Sequence, residues 1–328
     1  MAAEAYPINV TTAWERGRIV LSAAVEPGDV LQYHDGRACV VEAAKDLAIG
    51  QEAGVLLRGG EVEVPFGTSV AAVRGMPMWW DESANVAIAC PGLSVGDFFL
   101  GTCAEDKAAA TGMRARVRLN ERPAAAWSLR DGSASGGTSD TLQETNGLGV
   151  RLLSGGAARL AFDAVSEAAT ASLLSGVALP TADKFLFHAL LNVVANGDAA
   201  AFDGVIGIAD DDHADNPDTI AQSAFVSING GSANINVESD DGSTEVSAQD
   251  STIDLTAGTP FSVWIDKRDN AGVKFYINGI RVVTGSTFVL TAAAGPLRAL
   301  VMIEKSADDT AAEWVVLEAA LIRADDAS

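Results

Sequence analysis

Basic residues are scarce in this chain. Its 22 Lys and Arg stand against 44 Asp and Glu, a formal charge of −22 over 328 residues. Nucleic acids and anionic membranes are held by positive surface, so neither is expected as a partner. Cysteine is scarcer still. Cys39, Cys90 and Cys103 are too few and too scattered for a disulfide framework, and no C-x-x-C pair offers zinc a site. A reducing compartment is the simpler expectation. No apolar run approaches the ~18 residues of a membrane span. The opening MAAEAYPINV lacks the basic and apolar regions of a secretion signal, so a soluble protein made in the cytoplasm is expected. Helical periodicity is nearly absent.

What is present is hydrophobic residue at 48%, enough for a real core, broken by 32 glycines. Short runs rich in Val, Ile, Phe and Trp, with a glycine every 8–12 residues, predict an all-β chain. DVLQY leads through Asp35-Gly36 into RACVVEA, a hairpin. Gly59-Gly60 separates two strand-like runs in AGVLLRGGEVEVPFG, and MPMWWDESANVAIA reads as strand–turn–strand. With DFFLGTCA and GMRARVRLN, about eight strands in the first 120 residues make a small β barrel or sandwich. Residues 1–122 carry 16 acids and 11 bases, net −5, which leaves −17 for the remainder. The stretch RDGSASGGTSDTLQETNG is poor in apolar residues, and a linker is expected over 123–140. Beyond it, strands lengthen. In TPFSVWIDKRDNAGVKFYINGIRVVTG, Phe261, Val263 and Ile265 alternate, then Val273, Phe275 and Ile277, before the turn Asn278-Gly279. Roughly ten strands over residues 141–328 predict a two-sheet sandwich.

Candidate chemistry is sparse. In GIADDDHADNPDT, five aspartates and His213 crowd nine residues, and oxygens at that density suit Ca²⁺. The EF-hand pattern fails, since Asp215 stands where Gly is needed and no Glu follows. Asp212, Asp215, Asn216 and Asp218 remain the candidate calcium ligands, against a solvated loop stiffened by Pro217. No other cofactor is expected. PGLSVGD holds G-x-S-x-G around Ser94, but a strand-like run follows where a nucleophile elbow needs a helix. VESDDGSTE places Glu238 and Asp240 in phase on one strand face, as E-x-D-x-x-E would require; it then breaks at Asp241-Gly242, and Glu245 comes two positions late. No assembled acid pair is read, and the expectation is a protein that is not an enzyme.

Two resemblances carry the rest. The order GDV…DLAIGQEAGVLLRGGEVEVPFG…GMPMWWDES…VGDFFLGTCAED…ATGMRARVRLN, over about residues 8–120, resembles the capsid decoration proteins of tailed, lambda-like bacteriophages. It implies a β-tulip-like homotrimer that sits on the outside of the mature head at local three-fold axes, binds the major capsid protein and stiffens the shell. Residues 1–122 would then be the capsid-binding, trimerising domain. FSVWID followed by VKFYINGIRV resembles the jelly rolls of concanavalin-like and laminin-G-like domains, so 141–328 would protrude from the virion surface. In that setting Arg114, Arg116 and Arg118, on one strand face, are candidate contacts to an acidic capsid surface. Trp80, adjacent to Trp79, is a candidate subunit contact. The arm AAEAYPINVTTAW is a candidate strand donor to a neighbour. The alternative expectation is a lectin-like virion protein that binds glycans through its second domain.

Overall fold

Along Arg114–Leu119 every second side chain is buried: Ala115, Val117 and Leu119 point inward, and the three arginines stay half-open. A period of two cannot settle as a helix, and it recurs along Glu61–Pro65 and Asn234–Asp241. The computed structural model describes residues 5–7, 14–92, 96–123, 125–129, 141–146, 148–153, 156–197, 201–210 and 217–324, and its architecture is all-β. The chain divides into two compact units, Met1–Pro123 and Ala124–Ile277 with Arg281–Asp326.

The first unit is built from two open antiparallel sheets, so of the barrel and the sandwich expected for it, no closed barrel forms among the described residues. One runs Tyr6–Pro7, Glu61–Pro65, Arg114–Leu119, Phe98–Cys103, Pro77–Asp81, Val86–Ile88; the other runs Glu15–Val20, Glu52–Arg58, Ala38–Glu42, Val30–Gln32. Leu21, Cys39, Val41, Val55 and Leu57 form an apolar cluster on the smaller sheet. The hairpin at Asp35-Gly36 is present, with Gly36 at φ 89° and its N–H donating to Tyr33 O at 2.9 Å. Gly59-Gly60 does a different job from the turn its flanks suggest. It carries the chain from the small sheet into the large one, and a Cβ on Gly60 would lie 2.3 Å from the Trp14 ring. Only glycine tolerates that approach. Asn120 ties the two sheets: its Oδ1 accepts from Ala38 N at 2.9 Å, and its Nδ2 donates to Ala38 O and Leu57 O, both at 2.6 Å.

The second unit is a jelly-roll sandwich. One sheet runs Gly149–Leu152, Ala158–Phe162, Ala312–Arg323, Phe185–Asn196, Phe261–Lys267, Lys274–Ile277. Its partner runs Thr141–Thr145, Glu167–Leu179, Leu297–Asp308, Phe202–Ala209, Gln222–Asn229, Asn234–Asp241, Glu245–Asp254. Leu160, Phe187 and Val263 of the first meet Ile206, Val226 and Val301 of the second in one core. The hairpin read around KRDNAG is there, with Val263 opposite Ile277 and Ile265 opposite Phe275. Within the segment expected as linker, Ala125–Ser128 instead forms a strand on Ala312–Arg323, and Trp127 is fully buried. Trp127 explains the difference: burying one large ring, with Leu129 beside it, returns more than ordering this short segment costs.

Two buried lysines hold the ends of strand Glu167–Leu179. Lys305 Nζ donates to Asp163 O at 2.8 Å, Val165 O at 2.7 Å and Thr310 O at 3.3 Å, tying down the loop before the strand. Lys267 Nζ donates to Thr181 O and, at 2.8 Å, to Asp183 O in the turn after it. Burial pushes the Lys267 ammonium down to about 8.

Candidate functional site

Gln222–Asn229 sends Ala224, Val226 and Ile228 into the core and turns Ser223 and Phe225 to the opposite face. Its neighbour Asn234–Asp241 does the same. Ile235 and Val237 go inward, while Glu238 lies opposite Phe225 and Asp240 opposite Ser223. The chain then reverses. Asp240 Oδ1 accepts the Gly242 N–H at 2.8 Å, Gly242 takes φ 82°, and Glu245 returns directly across from Asp240. Glu238, Asp240 and Glu245 thus line one small cleft with Pro217, Ile220, Ser223, Phe225 and Val246. Its floor continues into an apolar bed of Leu174, Val205, Leu300 and Met302.

The hairpin that presents these acids is locked by the residue between them. Asp241 is buried; its Oδ1 accepts the Ser243 and Thr244 N–H groups and its Oδ2 accepts the Thr291 hydroxyl and the Ala292 N–H, at 2.8–3.1 Å. Burial pushes the Asp241 carboxyl up, but these four donors outweigh it and its pKa lies below the usual carboxylate range. The cleft therefore has a rigid back and a rim of carboxylates, half-buried at Glu238 and Asp240 and exposed at Glu245. Such a rim accepts hydrogen bonds from hydroxyl groups over a hydrophobic floor, and paired carboxylates are the groups that acid–base chemistry on glycosidic bonds uses. Linear spacing made Glu245 look two positions late. The hairpin turn at Asp241-Gly242, already visible in the sequence, was the signal that folds it back.

Other expected sites fare differently. Asp212, Asp215 and Asn216 lie outside the described residues, as does Ser94. Asp218 falls in the short 3-10 turn Pro217–Thr219. Among the described residues no group of three or more His, Cys, Asp or Glu is placed to hold a metal ion. Trp80 is corrected: it is fully buried, and Trp79 is 6% exposed. Adjacent strand residues point to opposite faces, but Pro77–Asp81 is covered on both, so no ring is left for a neighbour. The arginines meet carboxylates of their own unit. Arg114 pairs with Glu63 at 3.4 Å; Arg116 pairs with Glu61 at 3.0 Å and Glu105 at 3.4 Å; Arg118 pairs with Glu61 at 3.6 Å. Burial pushes the Glu105 carboxyl up, while Lys107 and Arg116 outweigh it and leave its pKa lowered. Of the arm, Tyr6–Pro7 pairs with Glu63 and Val62 of the same chain. Burial pushes the Cys39 and Cys103 thiols up to about 12, so neither supplies a thiolate at neutral pH.

No family model matches the chain, and no curated protein matches it. Solved structures do. The potassium-bound carbohydrate recognition domain of Emp46p is 13% identical, with 56% of this chain and 88% of that one covered and a TM-score of 0.36. A family 7 alginate lyase, A1-II', is 10% identical over 55% and 85%, at 0.38. LamAcat from Zobellia galactanivorans is 12% identical over 52% and 79%, also at 0.38. At these identities the likeness concerns the fold. One expectation is corrected, that the protein is not an enzyme: the similar structures include an alginate lyase.

Proposed function

We propose that the chain is a bacteriophage head decoration protein, with residues 1–122 gripping the outer surface of the shell as a self-associated base and the jelly roll carried outward. What supports it most is the first unit itself, a two-sheet β unit that covers the stretch resembling decoration proteins and has its own apolar cluster and its own Asn120 clamp. Holding on to a shell needs buried area repeated over many copies, which adds strength through multivalency. The net −17 beyond residue 122 keeps decorated particles dispersed. Mixing the purified full chain with undecorated heads tests this. Ordered density at local three-fold positions is expected, and bare heads after mixing would overturn the reading.

A second reading is favoured by the carboxylate-rimmed cleft, namely glycan binding by the jelly roll. Glu238, Asp240 and Glu245 at the rim accept sugar hydroxyl protons, beside the half-buried Val246. A glycan array probed with the full chain and with Glu238→Gln/Asp240→Asn tests it. Binders lost in the variant support the reading, and an array with no binder sinks it. The release of shortened sugar chains from a hit would add turnover.

A further inference from the structure

The two most exposed large hydrophobic side chains among the described residues lie on adjacent segments of the first unit. Val20 is 70% exposed and Ile49 is 68% exposed. Two backbone hydrogen bonds hold their segments side by side, Leu21 N–H to Gln51 O and Gly50 N–H to Leu21 O, each 2.9 Å. Val20 ends the strand Glu15–Val20, which is the edge of its sheet; among the described residues it pairs on one side only, with Glu52–Arg58. An open edge beside exposed apolar side chains is a template for another chain.

Charge indicates which chain. Arg16 pairs with Glu42 at 2.9 Å and Arg18 with Glu52 at 3.3 Å, all on the face that carries Val20. Two cations balance two anions there, on a protein whose net charge is −22. Copies of so acidic a chain repel each other over most of their surface, and they approach at least cost where charge is locally balanced. Arg18 and Glu52 are also exposed enough to exchange partners with the same pair on a neighbour.

We infer that the edge Glu15–Val20 with Val20 and Ile49 is the surface through which one copy of this chain binds a second copy. This deepens the decoration reading, because it supplies that reading's self-associated base.

The test compares the full-length wild type with Val20→Glu/Ile49→Glu by sedimentation and light scattering, with Leu152→Glu as a control at an exposed leucine of the second unit (55% exposed). The wild type and Leu152→Glu are expected to share an oligomeric mass, and the double variant to fall to single-chain mass. An unchanged circular dichroism spectrum and melting temperature would show that the variant is folded. Should it not fold, Val20→Thr/Ile49→Thr takes its place, with a several-fold weaker association expected. A double variant that keeps the wild-type mass overturns this surface and leaves the decoration reading standing. A wild type that is single-chain overturns both self-association and the surface. If that single-chain wild type still binds heads and the double variant does not, the patch faces the capsid instead, which also overturns the inference.

Discussion

In the first unit Arg114, Arg116 and Arg118 meet carboxylates on a half-open sheet face; in the second, Lys267 and Lys305 are buried and meet backbone carbonyls. The guanidinium is a planar fork suited to carboxylates, so it serves strands that carry Glu61 and Glu63 opposite. The ammonium is a compact cation with three donors, and it can gather the converging carbonyls of a loop. The same formal charge therefore decorates a surface in one unit and fixes chain reversals in the other. Removal should cost little in the first case and much in the second, because a buried acceptor left unpaired has no water to turn to.

Four outcomes would sharpen or break that contrast. Lys305→Met strands the carbonyls of Asp163, Val165 and Thr310 and is expected to lower unfolding stability by about 3 kcal/mol in urea titration. If it costs no more than an arginine of the ladder, the contrast fails. Asn120→Ala in the first unit removes three hydrogen bonds and should cost about 2 kcal/mol by the same measurement, so that unit too depends on one half-buried polar side chain. Lys267 gives a pH signature. Its folded pKa of about 8 lies below the ordinary 10.5, so between these values the unfolded chain binds more protons and stability rises with pH. The wild type should gain about 1 kcal/mol relative to Lys267→Met between roughly pH 8 and 9, and equal slopes for the two proteins would refute it. Smallest is Arg116→Ala, at about 0.5 kcal/mol and fading as salt is added.

Legibility in the sequence followed the range of the interaction. Hairpins whose alternation and turn sit in one window could be read directly, as at Asp35-Gly36 and across 261–277. Gly59-Gly60 was visible as punctuation, yet its purpose depends on Trp14, far off in sequence. Trp80 was misread because alternation says which face a ring takes and nothing about whether that face is covered. Ala125–Ser128 was lost inside polar surroundings, since its partner strand lies near the other end of the chain. The cleft was half legible. Glu238 and Asp240 declared a shared face, but Glu245 joined them only once the turn was followed in space.

The paired lysine anchors have a consequence for resistance to proteolysis. A protease must draw several residues of a loop into extended form before it can cut. The loops before and after Glu167–Leu179 are each tethered from within by an ammonium, at Asp163 and Val165 on one side and at Thr181 and Asp183 on the other. Both reversals should therefore resist nicking while the sandwich stays folded, and digestion should begin elsewhere on the chain.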